Sequence, residues 1–340
     1  MGCGSVADFG HLPAIRQTAG LELVSLYDPH KGRVQAASAK FGGRPFSDAD
    51  AFFDSGLDAV VVTSPAPAHR ENVLEAAKRG LHVLCEKPIA MNDQEGAEMV
   101  AAMKAAGKML LVGFVYRFSP VAQQFKQWIS EGVVGDIRAL RMFYVWNLHG
   151  QYEQLPDGTW QESAMYRARI EEGGPLVDCG VHQIDLCRWW LGAEVSSFSG
   201  SGAWVLDGYE APDHVNLAMN FAGGQTAWVE VSYSYGHTAR EPRSEFSYHA
   251  IGTGGVLRYD RAGYVLEARA GDRTITAPGA SEKNFPGMYA AWLVALRSGE
   301  PGDFPTAEDG LIATRIARTA TDELIGKRKA WAPAVRLAGD

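Results

Sequence analysis

The feature that most restricts the fold is a repeated alternation over the first 119 residues. Short apolar runs at 21–27, 57–63, 81–84 and 109–114 are separated by stretches with helical spacing, among them 30–41, 72–79 and 92–106. Runs so short and so uniformly apolar are strands buried on both faces, as in a parallel sheet with helices on either side. The alternation predicts a doubly wound α/β domain over 1–119. Such a sheet gathers its ligands at the carboxyl ends of its strands.

After Ser119 the texture changes. A helix is expected over 120–131 and a long strand over 137–146, with no crossover helix behind it. Residues 147–160 read as a polar, aromatic loop. Further strands follow at 197–206, 214–221, 226–235, 244–252, 256–259, 264–269 and 273–276, parted by turns such as Ala222-Gly223-Gly224. This predicts an α+β domain over 120–340 with a large, mostly antiparallel open sheet. Two closing helices, 286–298 and 307–326, are expected, the last able to pack back on the first domain. A chain of 340 residues has room for two cores.

Charge and composition exclude some functions. A net charge of −8 argues against a general nucleic-acid binder, which needs an excess of Lys and Arg. No window reaches the roughly 18 apolar residues of a membrane span, and no secretory leader is recognisable at the N-terminus. The four cysteines form no CxxC pair, so a zinc site or redox dithiol is not expected and a reducing cytoplasm is.

Two loops carry the first chemistry. Gly2-Cys3-Gly4-Ser5-Val6-Ala7 is a G-x-G-x-x-A fingerprint, in which glycines let the backbone approach a pyrophosphate at a helix N-terminus. Gly2, Gly4, Ser5 and Val6 are therefore candidate cofactor contacts. Asp28 ends the next strand at the distance where an acidic residue binds ribose hydroxyls; capping of the following helix is the alternative. A carboxylate there favours NAD over NADP, with Lys31 and Arg33 close enough in sequence to soften the choice. Only Met1 precedes the fingerprint, so the strand that normally leads into it is missing. A chain extended at its N-terminus is expected to bind cofactor better.

Further candidates lie where later strands end. Thr63, Ser64 and Pro65 follow the second apolar run, and His69 opens the next helix. Cys85-Glu86-Lys87-Pro88-Ile89 places a carboxylate and an ammonium at a strand exit, and Tyr116 and Arg117 follow the last strand. In the second domain, Gly173-Gly174-Pro175-Leu176-Val177-Asp178-Cys179-Gly180-Val181-His182-Gln183-Ile184-Asp185 sets Asp178 and His182 four apart. With a helix beginning near Cys179, both side chains would face one way. A carboxylate beside an imidazole raises its basicity, and such a histidine can take a hydroxyl proton. Asp178, His182 and Asp185 as metal ligands, or Asp178 as a helix cap over a packed His182, are the alternatives. Trp160, Tyr166 and Arg167 lie on the approach to this motif and are candidate substrate contacts.

The G-x-G-x-x-A start, Glu86-Lys87-Pro88 and the Gly173–Asp185 string, in this order, resemble the glucose–fructose oxidoreductase/inositol dehydrogenase (Gfo/Idh/MocA) family. Gly10-His11-Leu12-Pro13, Tyr116-Arg117-Phe118-Ser119-Pro120, Trp190-Leu191-Gly192, Ile251-Gly252-Thr253-Gly254-Gly255 and Glu308-Asp309-Gly310-Leu311 extend the resemblance over nearly the whole chain. It implies a Rossmann domain with NAD or NADP and a polyhydroxylated small-molecule substrate. It implies that Lys87 reaches nicotinamide and substrate and polarises the reacting oxygen, that His182 is the acid/base, and that Asp178 binds a substrate hydroxyl or orients His182. Glu86 would steer Lys87 or bind a ribose hydroxyl, and Arg117 would contact cofactor or substrate or pair with a structural carboxylate. Pro175 departs from the family pattern, where a third glycine stands, and is expected to stiffen a loop.

The function expected is hydride transfer between a nicotinamide and a secondary alcohol or ketone of a sugar, cyclitol or sugar derivative. An NAD-assisted glycosidase or lyase that oxidises its sugar transiently is the alternative. A non-catalytic cofactor-binding regulator is a third possibility, against which the intact Lys87, Asp178 and His182 stand. Trp204, Trp228, Tyr233 and Tyr235 are expected to leave the large sheet with an open apolar face, buried in a homodimer or homotetramer.

Overall fold

The computed structural model describes residues 1–145, 152–155, 157–162, 170, 172–205, 208–234, 244–279 and 283–331. In chain order the helices are α1 (Leu12–Gln17), α2 (Lys31–Phe41), α3 (Ala49–Phe53), α4 (His69–Lys78), α5 (Asp93–Ala105), α6 (Pro120–Ser130), α7 (Val181–Leu191), α8 (Phe285–Ser298) and α9 (Ala307–Trp331). The first five strands are β1 (Ser25–Tyr27), β2 (Arg44–Phe46), β3 (Ala59–Val62), β4 (His82–Cys85) and β5 (Leu110–Val112). Then come β6 (Ile137–Val145), β7 (Tyr152–Gln154), β8 (Trp160–Glu162), β9 (Val195–Ala203) and β10 (His214–Phe221). The last are β11 (Thr226–Ser232), β12 (Glu245–Gly252), β13 (Gly255–Asp260), β14 (Val265–Ala270) and β15 (Arg273–Thr276). Contacts divide the chain into one unit of 1–119 with 282–314 and another of 120–281 with 315–340.

The first unit is built on parallel strands, as the alternation predicts. β1 pairs with β2, and β3-β4-β5 form a second piece, all in parallel register. Between the two pieces lie Met1 and Gly2. The Gly2 amide donates to the Tyr27 carbonyl at 2.8 Å, and the Met1 carbonyl accepts from the Thr63 amide at 2.8 Å. These two residues stand where the expected leading strand would finish. Val60, Val62, Val83, Leu84 and Val112 are buried, and β4 and β5 are covered on both faces.

The 119/120 boundary coincides with the expected one, and residues 282–314 group with the first unit. The reason is an added edge pairing: Thr306 bridges Leu111 antiparallel, and the Val112 amide donates to the Pro305 carbonyl at 2.9 Å. This satisfies backbone groups that β5 would otherwise leave open.

In the second unit an eight-stranded sheet runs β15-β14-β13-β12-β6-β11-β10-β9. All its pairings are antiparallel except β6 with β11, which is parallel. One face carries Leu140, Met142, Leu217, Val229, Val231, Tyr248 and Leu257, all buried. Phe125 of α6 stacks on Trp190 of α7 at 4.9 Å, and Tyr248 meets Trp190 edge-on at 5.3 Å. Aromatic pairs of this kind add about 0.5–1.5 kcal/mol each beyond their burial.

The opposite face differs from the expected apolar patch. Across the register run Ala218, Trp228, Arg141, His249, Arg258 and Glu267, a row dominated by charge. Trp228 is 44 % exposed, but Tyr233 is 1 % exposed and belongs to the covered face. Trp204 lies half-buried under the Arg328 guanidinium, 4.6 Å from its ring. Tyr235, named with them, lies outside the described residues. The stretch read as a loop over 147–160 contains the β7–β8 hairpin instead.

Candidate active site

In the first unit the fingerprint occupies the carboxyl edge of the strands. Gly2 has φ +93°, and a Cβ there would stand 2.6 Å from the Ser64 nitrogen. Only glycine lets this turn lie against the chain leaving β3. The Thr63 hydroxyl clamps it from the other side, donating to the Met1 and Gly2 carbonyls at 3.0 and 2.7 Å. A Cβ on Gly4 would meet nothing within 4 Å, so the loop's backbone is open to a ligand. Helix begins at Ser5, with Ser5 exposed and Val6 half-buried, and passes through a π-helical turn at Ala7–His11 into α1. A cavity of about 320 Å³ lined by Cys3, Gly4, Ser5, Asp8, Arg33 and Lys40 adjoins it. This open backbone at a helix start, beside a cavity of small-molecule size, fits the phosphates and adenosine of a dinucleotide.

Asp28 ties this loop to the end of β1. Its Oδ2 accepts from the Cys3 amide and its Oδ1 from the His30 amide, each at 2.9 Å. The Arg33 guanidinium lies 3.9 Å away. The helix-cap alternative is not what the structure shows, since His30 caps α2 by accepting from the Arg33 amide. A carboxylate has about four acceptor positions, so two backbone donors leave capacity for ribose hydroxyls.

The other strand-end candidates fall into two groups. His69 is buried and looks inward: Nε2 lies 2.8 Å from the Ser64 carbonyl, and Nδ1 lies 3.0 Å from that of Pro88 and 3.3 Å from that of Ile89. It staples the loop after β3, including exposed Pro65, to the loop after β4. Burial lowers its pKa despite those carbonyls and the nearby Glu86 charge. Arg117 is also buried, and its guanidinium pairs with Asp309 at 3.2 Å, the structural-carboxylate alternative. Tyr116 is 3 % exposed, with the Lys283 ammonium 5.9 Å from its ring centre.

Glu86 and Lys87 leave β4 together, Glu86 buried and Lys87 half-buried. The Lys87 amide donates to Glu86 Oε2 at 3.3 Å. Burial pushes the Glu86 carboxyl up, but the His11 hydrogen bond and charge, with Lys87 and Lys283, hold it below its ordinary value. Cys85, just before it, is raised well above the usual thiol range by burial and by Glu86, and stays a thiol. His11, Tyr289 and Lys283 were not among the residues read from the sequence as site components. Their partners lie far along the chain, so only the Gly10–Pro13 match hinted at His11.

In the second unit, helix starts at Gly174, earlier than expected, and a π-helical turn at Leu176–Gly180 precedes α7. Pro175, with φ −63°, therefore sits in a helix's first turn rather than stiffening a loop, a place where its missing N–H costs nothing. Asp178 lies inside the π-turn and His182 follows it, so their spacing is not that of a regular helix. Asp178 is 3 % and His182 5 % exposed. The Tyr233 hydroxyl donates to Asp178 Oδ2, to which the Cys179 thiol also points at 3.4 Å. Tyr233 was missed as a site residue, although it shares the parity of buried Ala227, Val229 and Val231.

Asp185 is fully buried, and among the described residues no three His, Cys, Asp or Glu side chains gather as a metal-binding group. Trp160 is 57 % exposed on the β7–β8 hairpin. Tyr166 and Arg167 lie outside the described residues.

Comparison with known proteins shows the family. A family model described as an oxidoreductase family with an NAD-binding Rossmann fold matches residues 1–114, and the GFO/IDH/MocA C-terminal domain matches 122–258. The D-glucoside 3-dehydrogenase of Escherichia coli is 30 % identical over 258 residues, covering 69 % of each chain. The chain belongs to the Gfo/Idh/MocA oxidoreductase family. Scyllo-inositol 2-dehydrogenase (NAD(+)) of Bacillus subtilis is 27 % identical over 249 residues, 71 % of this chain and 68 % of the relative. Among solved structures, an oxidoreductase from Agrobacterium radiobacter in complex with NAD+, L-tartaric acid and magnesium superposes with a TM-score of 0.80. It is 21 % identical and covers 96 % of this chain and 95 % of its own, a likeness of fold. The family and the fold expected from the motifs are borne out, as is the assignment to NAD(P)-dependent oxidoreductases. No described helix is long and apolar enough to cross a membrane.

Proposed function

We propose that the protein is a dehydrogenase or reductase acting on a secondary alcohol or ketone of a sugar, cyclitol or sugar derivative. The observation that carries this reading is the gathering of the open glycine loop, Asp28, Thr63 and Glu86-Lys87 at one edge of the parallel strands. Bound nicotinamide supplies the hydride acceptor or donor. Lys87 donates a hydrogen bond to the reacting oxygen and stabilises the negative charge that develops there. His182 takes the hydroxyl proton in the oxidative direction and returns it in the reductive one. Asp178, held by Tyr233, binds a neighbouring substrate hydroxyl or orients His182. Relatives named for inositol and D-glucoside oxidation support a polyhydroxylated substrate.

Asp28 favours NAD, because a carboxylate pairs with ribose hydroxyls and repels a 2′-phosphate. Arg33 and Lys40 on the same cavity keep NADP within reach, although Lys40 is held by Asp8 at 2.7 Å. The protein works in the cytoplasm, a reading supported by four buried free thiols. It acts as a homodimer or homotetramer through the exposed face of the eight-stranded sheet, where Trp228 and Ile251 stand among charges. Turnover of a panel of sugars and inositols, followed by NADH absorbance, tests the substrate class. No turnover of any polyol with either cofactor removes it.

A further inference from the structure

Glu86 is nearly fully buried, and the groups that hold its carboxyl below the ordinary value lie far apart in the chain. His11 Nε2 is 2.9 Å from Glu86 Oε1, and His11 Nδ1 is 2.7 Å from the Tyr289 hydroxyl. His11 is 1 % exposed and Tyr289 not at all. An ionised carboxylate only accepts, so Nε2 carries the proton toward Glu86. In the Nε2–H tautomer Nδ1 accepts from the Tyr289 O–H. The chain of donors therefore runs one way, from Tyr289 through His11 to Glu86. Burial and the Glu86 charge keep the Tyr289 hydroxyl well above its usual range, so it remains a donor.

The fold is shaped around this chain. The π-helical turn Ala7–His11 ends on His11 itself, and such turns shift the following side chains out of regular register. Phe285, at the start of α8, packs edge-on to the His11 ring at 5.0 Å. Opposite, a Cβ on Gly113 would stand 2.7 Å from Glu86 Oε1, so only glycine leaves room for the carboxylate. Every one of these residues belongs to the first unit.

We infer that Tyr289 and His11 are positioning residues that hold the Glu86 carboxylate in place and charged beside Lys87, and thereby keep Lys87 an ammonium. This rests on the role given to Lys87 above. The reason is reciprocity: a carboxylate favours a nearby cation as much as the cation favours it. The charged or titratable groups around Glu86 are His11 from the π-turn, Tyr289 and Lys283 from the segment that returns to this unit, Lys87 from its own loop, Cys85 from β4 and His69 from α4. Without the His11 donor, burial acts on Glu86 unopposed by its main hydrogen bond. The carboxyl then takes a proton more readily, and one negative charge beside Lys87 is lost.

The test follows the Glu86 side-chain carboxyl and the Lys87 side chain by carbon NMR through a pH titration, with signals assigned from Glu86→Gln and Lys87→Ala. In His11→Leu the carboxyl should titrate above the ordinary 4.5 instead of below it, and Lys87 should deprotonate at lower pH than in the wild type. Tyr289→Phe keeps the ring and should move both in the same direction by less. The alkaline limb of kcat/KM should shift with Lys87 while NADH affinity stays within about threefold. A role in packing alone would lower the melting temperature and leave both titrations where they are, and that result overturns the inference. If His11→Leu does not fold, Tyr289→Phe and His11→Gln decide by the same readouts. Shifted titrations in a protein that turns over no polyol would sink the dehydrogenase reading and leave the positioning chain standing.

Discussion

Removal of one oxygen atom, in Tyr233→Phe, tests the architecture of the second unit. The Tyr233 hydroxyl donates to Asp178 Oδ2, and both residues are almost wholly buried. Phenylalanine keeps the ring, so no appreciable cavity opens and the change reports on the hydrogen bond. A hydrogen bond to a charged group contributes about 1.5–3 kcal/mol. If the carboxylate needs that donor in the ground state, the melting temperature should fall by about 3–10 °C for a domain of this size. If it is needed as the substrate reacts, kcat/KM should fall roughly 10- to 100-fold, since each 1.4 kcal/mol is a factor of ten. NADH affinity should be unchanged, because Tyr233 lies in the second unit. Differential scanning fluorimetry and steady-state kinetics on the best polyol separate the two effects. A double-mutant cycle with Asp178→Asn should show that the two substitutions are not additive. A melting temperature within about 1 °C of wild type together with kcat/KM within about twofold would refute the reasoning.

Three other outcomes are expected. Asp28→Ser should raise the use of NADP relative to NAD by about tenfold or more, from loss of one repulsive carboxylate; an unchanged ratio counts against Asp28 as the selector. Stability should fall in two steps on acidification. Burial holds folded His69 below 6.5, so the unfolded chain protonates first and stability drops as the pH falls from that value. Folded Glu86 lies below 4.5, so its contribution is present above that pH and lost as the pH falls through it and below. His69→Gln should shrink the upper step in urea midpoints, which His82 and His249 share, and Glu86→Gln the lower, whereas wild-type midpoints flat from about pH 7 to 3 contradict both assignments. Light scattering at micromolar concentration should give a dimer or tetramer, and a monodisperse monomer refutes the oligomer.

Much of the first unit was legible because parallel strands announce themselves locally. Val60, Val61 and Val62 or Val83 and Leu84 are apolar in succession, and the loops after them carry the chemistry. Met1 and Gly2 bridge the two sheet pieces, β1-β2 and β3-β4-β5, by backbone hydrogen bonds. The second unit was harder where side-chain parity decides. Trp228 in β11 and Tyr233 just past its end look alike as aromatic residues, but their odd separation puts them on opposite faces. The π-helical turns that hold His11 and Asp178 leave no mark in hydrophobic periodicity. The His11–Tyr289 bond joins residues 278 apart, and no local rule could find it. Return of 282–314 to the first unit is of the same kind, a tertiary pairing of Thr306 with β5 that propensity does not encode.

The central claim is that Lys87 acts on the reacting oxygen of a substrate whose redox partner is nicotinamide. Its most direct test is Lys87→Ala, with turnover measured beside NADH binding by fluorescence. Turnover should fall about a thousandfold or more while NADH affinity changes less than about threefold, because the glycine loop and Asp28 are untouched. Wild-type turnover in Lys87→Ala would contradict the account.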